Sequence, residues 1–164
     1  MTVCPNVLAF PPDGDGRVSL WDTAGEERFR SVTQLYLRES DIGLLVFDLT
    51  SETSFDGLKA WCSRFKAECP DAAMVIIGNK LDLPKPRQVA FGTAWNYARD
   101  VGASYCECSA KSGTGINDLT EEIGRIALNI EERQEDVAVL IIENEMRLQK
   151  RTECCRLLVC ATVV

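Results

Sequence analysis

The sequence predicts an α/β protein in which a mostly parallel sheet is covered by helices on both faces, giving three layers. Short apolar runs alternate along the chain with longer segments whose apolar residues recur at helical spacing. Continuous apolar runs of this kind are typical of strands covered on both faces. Polar motifs follow three of the predicted strands, at the edge where such sheets bind their ligands.

The predicted strands are short apolar runs bounded by polar or turn-forming residues. A turn-like Asp-Gly-Asp-Gly stretch at 13–16 leads into the first of them as a hairpin tip. The last run carries two cysteines in alternation, which places both thiols on one face of the strand. The strands are predicted over residues 17–21, 42–47, 74–77 and 104–108.

The predicted helices carry apolar residues at intervals of three and four. Pro70 ends one of them and Gly102 another, since proline and glycine commonly follow a helix. Helices are predicted over residues 29–39, 54–69, 87–101 and 116–132, and a further short helix over 137–148.

The composition narrows the class of protein. The chain has 164 residues and a net charge of −7, which argues against a general nucleic-acid binder. Eight cysteines without a histidine or a CxxC pair exclude a Cys/His zinc finger. The sequence shows neither a disulfide-like framework nor a signal peptide, so we expect a reducing, cytoplasmic compartment. No apolar run is long enough to span a bilayer, so we expect a soluble protein or one held to a membrane by other means.

The segment Asn79-Lys80-Leu81-Asp82 follows the strand predicted at 74–77. Guanine presents two adjacent donors, and the fixed carboxylate of Asp82 can accept both, whereas adenine lacks that pair. The stem of Lys80 can cover the base plane, and Asn79 can tie this loop to its neighbours. The alternative is an ordinary polar turn after a strand.

Ser109-Ala110-Lys111 follows the next predicted strand and supplies a second base loop. The backbone N–H of Ala110 can donate to the guanine O6, and Lys111 can cover the other face of the base. The alternative is a helix start, because this segment is rich in capping residues.

Asp22-Thr23-Ala24-Gly25 follows the first predicted strand. A carboxylate at this position can hold the hydration shell of Mg²⁺, so Asp22 is predicted as an indirect magnesium ligand. Gly25 allows the backbone to approach a γ-phosphate. The alternative is an Asp-initiated turn with a glycine.

The segment from Trp21 to Val32, WDTAGEERFRSV, resembles the Rab branch of Ras-related small GTPases. The stretches LLVFDLT, GNKLDL and ECSAKSG support the resemblance, which runs from about residue 17 to residue 129 in family order and spacing. It implies a G domain of the P-loop NTPase type that binds GTP or GDP with Mg²⁺. It also implies a switch in vesicle-mediated transport whose partners are effectors, an exchange factor, an activating protein and an escort protein.

The first departure from the family pattern is Glu26, which stands where the family usually has the catalytic Gln that orients the attacking water. A carboxylate there would lie beside an already anionic γ-phosphate, so we expect slow intrinsic hydrolysis.

The second departure is the absence of a Gly-x-x-x-x-Gly-Lys-Ser/Thr stretch from the sequence. The resemblance implies a first strand in the middle of the sheet, between the Asp22 strand and the strand at 42–47. We therefore expect a domain at 1–130 that lacks this first strand, the phosphate loop and the first helix. The favoured explanation is an incomplete gene model, and the alternatives are a splice product or a degenerate copy.

The third departure is the segment at 131–164, interpreted as a variable C-terminal tail. Cys154 and Cys155 follow basic residues, as in the doubly prenylated ends of Rab proteins, but nine further residues follow the pair. The two cysteines are candidate lipidation sites that would place the protein peripherally on endomembranes; the alternative is that they are incidental. Taken together, these patterns predict a Rab-like small GTPase that acts as a GTP/GDP switch. The alternative is a nucleotide-free module that binds effectors or regulators.

Overall fold

A computed structural model describes residues 6–10, 16–22, 40–84, 86–142 and 155–161, with side chains at 40–84 and 86–130. Within these ranges it has six strands and three helices. The strands are β1 (Asn6–Phe10), β2 (Gly16–Asp22), β3 (Ile42–Asp48), β4 (Ala73–Asn79), β5 (Ser104–Glu107) and β6 (Cys155–Ala161). The helices are α1 (Glu52–Glu68), α2 (Phe91–Val101) and α3 (Ile116–Ile142).

The strands form one sheet in the order β1-β2-β6-β3-β4-β5. β1 pairs with β2 in antiparallel fashion, and every other neighbouring pair is parallel. This confirms the predicted α/β class with a mostly parallel sheet. The strands predicted at 17–21, 42–47, 74–77 and 104–108 are all present, with ends that differ by one or two residues.

The core lies on both faces of the sheet, as the continuous apolar strands predict. Alternate residues of β3 and β4 serve opposite faces, because side chains of a strand alternate. Leu45 and Ile76 are fully buried in the cluster that contains residues of α1 and α2. Ile42 and Val75 are fully buried in the cluster that contains residues of α3. The three predicted layers are therefore confirmed.

Residues next to each end of helix α1 determine where it begins and ends. The hydroxyl oxygen of Ser51 accepts a hydrogen bond from the backbone N–H of Ser54 at 3.2 Å, which caps the first turn. The backbone N–H of Cys69 closes the last turn by donating to the Phe65 carbonyl at 2.8 Å, and Pro70 follows.

The predicted start of the second described helix is wrong. We expected a helix from residue 87, but α2 begins at Phe91. The backbone N–H groups of Gln88 and Val89 donate to the carbonyl of Leu49, at 3.0 and 3.3 Å. These bonds hold the segment next to the end of β3, so it does not join the helix. Gly102 ends α2 with a positive φ of 74°, as predicted from its position.

One helix and two strands differ from the prediction. α3 runs through residue 132 to Ile142, so residues 137–142 belong to it and not to a separate helix. The boundary predicted between residues 130 and 131 falls within α3, and the division into domain and tail stays a prediction. β1 and β6 were not predicted as strands. The helix predicted at 29–39 and the hairpin tip at 13–15 lie outside the described residues.

No helix in the described ranges combines the length and apolar character needed to cross a bilayer.

Gly43 in β3 tests how closely the α1 face is packed. A Cβ placed on Gly43 would lie 2.5 Å from Cζ of Phe65, a ring that is 1% exposed in the core. We expect Gly43→Ala to lower the free energy of unfolding by about 1–3 kcal/mol, measured by urea denaturation.

Gly57→Ala is the matched control, because Gly57 lies in α1 with no atom within 4 Å of its Cβ position. Alanine favours a helix, so this variant should be more stable by up to about 1 kcal/mol. Equal stability of the two variants would contradict the packing described for β3 and α1.

Candidate functional site

The candidate site lies at the carboxyl edge of β3, β4 and β5, where three parallel strands end side by side. Asp48 at the end of β3 is in register with Asn79 at the end of β4, and Gly78 is in register with Glu107 on β5. The two predicted base loops leave this edge directly after β4 and β5. The sheet therefore places them next to each other.

Backbone hydrogen bonds join the two loops. The N–H of Cys108 donates to the Gly78 carbonyl at 2.8 Å, and the N–H of Leu81 donates to the Cys108 carbonyl at 3.1 Å. The amide oxygen of Asn79 accepts the backbone N–H of Ala110 at 3.1 Å. Loop 79–82 and loop 108–111 thus form one hydrogen-bonded unit.

Asp82 is oriented by a buried hydroxyl of the second loop. Ser109 Oγ donates to Asp82 Oδ1 at 2.6 Å and accepts the backbone N–H of Ser112 at 3.0 Å. Ser109 is fully buried, so its end of this hydrogen bond is shielded from water, whereas Asp82 is partly exposed. Asp82 Oδ2 lies 4.0 Å from Lys111 Nζ, whose side chain is 84% exposed. The carboxylate is therefore fixed through one oxygen, while the other lies beyond hydrogen-bond distance of the lysine.

Lys80 has a backbone conformation that long side chains rarely adopt. Its φ is 67°, and it is the one non-glycine residue with positive φ in the described part of the chain. This conformation costs roughly 1 kcal/mol or more, and such residues concentrate at functional sites. The backbone N–H of Lys80 donates to Asn79 Oδ1 at 2.7 Å, which helps to hold the turn.

The carboxylate of Asp48 pairs with the Lys80 side chain, and Asp48 was not among the predicted site residues. Lys80 Nζ lies 2.6 Å from Asp48 Oδ2, and Asp48 Oδ1 accepts both the N–H and the hydroxyl of Thr50 at 2.7 Å. Burial raises the pKa of the Asp48 carboxyl, but the donors from Lys80 and Thr50 outweigh it and leave the pKa below its usual value. The signal was present in the sequence, since Asp48 is a polar residue directly after an apolar run.

Gly115 fixes the turn between the second loop and α3. It has a φ of 72°, and a Cβ there would overlap the carbonyl oxygen of Glu107 on β5. The N–H of Ser109 donates to the Thr114 carbonyl at 2.9 Å, and the N–H of Gly113 donates to the Ser109 carbonyl at 2.9 Å. A glycine at 115 therefore allows this turn to lie directly against β5.

An ion pair anchors the segment that follows the first loop. The guanidinium of Arg87 pairs with both carboxylate oxygens of Glu107, and the hydroxyl of Tyr105 donates to Glu107 at 2.6 Å. Burial raises the pKa of Glu107, but Arg87 and Tyr105 outweigh that effect, so its pKa lies below the usual value. The segment between the first loop and α2 is thereby attached to β5.

The structure does not describe the side chains predicted to face the phosphates and the metal. Asp22 is the last residue of β2 and only its backbone is described, whereas Gly25 and Glu26 lie outside the described residues. Cys154 also lies outside them, and Cys155 is the first residue of β6. Among the residues searched, no group of three acidic or cysteine side chains could hold a metal ion.

The predicted contacts to a guanine base stay predictions, and the structure shows how the groups assigned to them are paired within the protein. Asp82 is a fixed acceptor of the kind that the two guanine donors require. Ala110 was predicted to donate its N–H to the guanine O6, but here that N–H donates to Asn79. A base could take this donor only if the Asn79 contact were shared or released.

Comparison with known proteins shows which family the sequence resembles. A sequence model of the Ras family matches residues 12–129. The chain is 43% identical over 107 residues to the Ras-related protein RabJ of Dictyostelium discoideum, covering 65% of this chain and 42% of that protein. It is 31% identical over 144 residues to the Ras-related protein RABF2b of Arabidopsis thaliana, covering 87% of this chain and 72% of that protein.

A mouse relative gives a similar result. The chain is 35% identical over 158 residues to the Ras-related protein Rab-21 of Mus musculus, covering 87% of this chain and 71% of that protein. The matched part of the chain thus spans between two fifths and three quarters of the length of these relatives.

The Arg87–Glu107 pair gives a pH-dependent prediction. The pKa of Glu107 is lower in the folded state than in the unfolded chain. The charged carboxylate therefore stabilises the fold fully above about pH 4.5, and this stabilisation is lost as the pH falls through the pKa of Glu107 in the folded protein. We expect Glu107→Gln to lower the free energy of unfolding by about 1–3 kcal/mol at pH 7. Denaturant titrations from pH 7 to pH 3 should show this difference shrinking below about pH 4.5.

Asp56→Asn is the control for this series. Asp56 pairs with Lys59 at 2.7 Å on the surface of α1, with its side chain 62% exposed. Such exposed pairs contribute little, so the variant should stay within about 0.5 kcal/mol of the wild type. A Glu107→Gln difference that stays constant down to pH 3 would contradict the assigned ion pair.

Proposed function

Since the chain belongs to the Ras family of small GTPases and is related to its Rab-type members, we propose that it binds GTP and GDP as a molecular switch in vesicle-mediated transport. The observation that carries this proposal is the Asp82 carboxylate, oriented by the buried Ser109 hydroxyl at the joined ends of β4 and β5. The structure describes the side chains of the two base loops, so the proposal is argued from the guanine end of the site.

In the proposed complex, the guanine base lies between the loops at 79–82 and 108–111. Asp82 accepts the ring N–H and the exocyclic amine, and Ser109 prevents the carboxylate from rotating away. An adenine base would leave the carboxylate unpaired, which costs affinity. Lys80 and Lys111 cover the two faces of the base with their stems, and the Asp48 contact limits where Lys80 can lie.

The phosphate half of the site is proposed from family membership. Asp22 would hold the Mg²⁺ shell from the end of β2, and Gly25 would let the backbone approach the γ-phosphate. Bound Mg²⁺ supplies charge stabilisation on the phosphates. Glu26 would stand beside the attacking water, where its negative charge makes hydrolysis slow.

The cellular part of the proposal is that the protein works with effectors and regulators, including an exchange factor, an activating protein and a Rab escort protein. It would be cytoplasmic and attach peripherally to endomembranes through lipids on Cys154 and Cys155. Two lipid chains give stable attachment where one does not.

A second candidate function is a nucleotide-free module that binds effectors or regulators. The observation that favours it is the hydrogen bond from the Ala110 N–H to Asn79, because this donor is then already satisfied within the protein. Measurable affinity for guanine nucleotides separates the two candidates.

The test of guanine recognition is a titration of the chain with fluorescent GDP in the presence of Mg²⁺, with unlabelled GDP, ADP and xanthosine diphosphate as competitors. We expect GDP to compete and ADP not to compete. Asp82→Asn should weaken GDP binding roughly 30- to 150-fold, since an amide donor then faces the guanine amine at a cost of about 2–3 kcal/mol. Xanthine has an acceptor in place of that amine, so the same variant should gain affinity for xanthosine diphosphate.

Asp100→Asn is the control, since Asp100 lies exposed in α2, where its carboxylate pairs with Arg99. It should bind GDP as the wild type does. Absence of GDP binding by the wild-type chain would favour the nucleotide-free module. Binding that Asp82→Asn does not alter would refute the assigned base contact.

The role of Glu26 is tested by single-turnover hydrolysis of GTP. Glu26→Gln removes a charge beside the γ-phosphate and keeps a side chain able to orient water, so the rate should rise by about tenfold or more. Glu27→Gln serves as the control, with an unchanged rate expected. An unchanged rate for Glu26→Gln would refute the proposed cause of slow hydrolysis.

A further inference from the structure

A groove lies beside β5, the last strand of the described sheet on that side. Its volume is about 420 Å³, which is comparable with that of ligand-binding pockets. α2, β5 and α3 all line it, with Trp95 and Ala98, Tyr105 and Cys106, and Asp118 and Glu122. Because α2 and α3 pack on opposite faces of the sheet, a groove lined by both helices and by β5 lies along the outer edge of this strand. It shares no residue with the loops at 79–82 and 108–111.

The backbone of β5 offers hydrogen-bonding groups to this groove. The backbone groups of successive residues in a strand point alternately to its two sides. The N–H of Cys108 donates to the carbonyl of Gly78 on β4 at 2.8 Å, so the backbone groups of Glu107 and Tyr105 point away from β4. Gly115 lies against the Glu107 carbonyl. The N–H and C=O of Tyr105 have no partner among the residues that the structure describes, which leaves them open to an added strand.

The α2 wall of the groove is mainly apolar. Trp95 is 45% exposed, and Ala98 lies beside it in the wall. The guanidinium of Arg99 lies 5.1 Å from the centre of the Trp95 ring and 3.4 Å from the Asp100 carboxylate, so its charge is partly compensated. A large exposed aromatic side chain in a groove is typical of an interaction site.

The α3 wall is acidic. Glu122 accepts the hydroxyl of Ser104 at 2.6 Å and forms an ion pair with Arg125 at 2.6 Å, so its charge is compensated. Asp118 is exposed, and no cation within the described ranges forms an ion pair with it. The wall therefore presents one uncompensated negative charge to the groove.

The two walls define the peptide that the groove fits. A strand added at β5 presents its side chains alternately to the two faces of the sheet, one set toward Trp95 and the other toward Asp118. We propose that the groove binds an extended segment of another protein, with alternating apolar and basic side chains, which adds to β5 as a further strand. The backbone of Tyr105 supplies the hydrogen bonds, and the two walls select the side chains.

A second copy of the chain fits this edge less well. Antiparallel pairing of two β5 strands in one continuous sheet brings the same face of both copies together. The acidic α3 wall of one copy would then lie beside the acidic α3 wall of the other. Like charges oppose such pairing, whereas a basic partner is attracted. The inference goes beyond the proposed function and does not require a nucleotide.

A fluorescence-anisotropy titration of the full chain with synthetic peptides tests the inference without nucleotide. The probe is a labelled peptide of about six residues, the usual length of a strand, in which valine and arginine alternate. One comparison peptide has the same residues in two blocks and therefore the same charge. Another has the alternating sequence with methylated backbone nitrogens, which cannot donate hydrogen bonds. We expect the alternating peptide to bind at least about tenfold more tightly than either comparison peptide.

Substitutions in the two walls test the side-chain contacts. Trp95→Ala removes the aromatic part of the α2 wall and should weaken binding of the alternating peptide about tenfold. Asp118→Asn removes the uncompensated charge and should weaken binding about three- to fivefold, as expected for an exposed ion pair. Leu128→Ala and Asp56→Asn are the matched controls, because both side chains are exposed and lie outside the groove. Both controls should bind the peptide as the wild type does.

The amide of Tyr105 gives a readout that needs no substitution. In the chain alone, we expect this amide to exchange with solvent at least about tenfold faster than that of Cys108, which is bonded to Gly78. The alternating peptide should slow exchange at Tyr105 at least about tenfold and leave the amides of β3 unchanged. Nuclear magnetic resonance measures these rates residue by residue.

Three results would overturn the inference. One is equal binding of the alternating and the block peptides, which indicates attraction by charge alone. Another is slow exchange at Tyr105 in the chain without peptide, which shows that the edge is already covered, by a second copy if the chain has a dimeric mass. The third is peptide binding that neither Trp95→Ala nor Asp118→Asn alters. No nucleotide is present in these experiments, so a failure here is distinguishable from a failure of the proposed switch.

Discussion

The hydrogen bond from the buried Ser109 hydroxyl to Asp82 is the interaction on which the candidate site depends. Without it, Asp82 would be a carboxylate on a turn, free to rotate and to be satisfied by water. Ser109 can reach Asp82 because parallel pairing of β4 with β5 ends both strands at one edge, and because Asn79 holds Ala110 across the gap. In the proposed function, selective recognition of a base would follow from sheet topology together with one buried hydroxyl.

A second set of contacts extends this edge toward β3. The strained backbone of Lys80 directs its ammonium to Asp48, whose carboxylate is also held by Thr50. The Arg87–Glu107 pair fixes the segment behind the first loop in the same way. In each case a basic residue after β4 forms an ion pair with a carboxylate on a neighbouring strand, Lys80 with Asp48 and Arg87 with Glu107. These ion pairs hold the loops in shape without a ligand.

Local patterns were sufficient to predict the apolar strands and the end of α1 at Pro70, because each depends on residues close together in the chain. The start of α2 was missed because hydrogen bonds from Gln88 and Val89 to Leu49 override the helical pattern. β6 was missed because its partners on β2 and β3 lie more than a hundred residues away, and a short apolar run near a chain end has no local signal for pairing. Asp48 was missed because its role depends on Lys80, which lies in the loop after β4 and not near Asp48 in the sequence.

The measurement that tests the central claim most directly is a hydrogen-exchange footprint of the chain with and without GDP and Mg²⁺. The account predicts that GDP slows exchange in the two segments that form the base site, residues 79–82 and 108–112, and that ADP does not. Protection that appears elsewhere on the molecule, or equally with both nucleotides, would contradict the assignment of Asp82 and its partners as the guanine-reading edge.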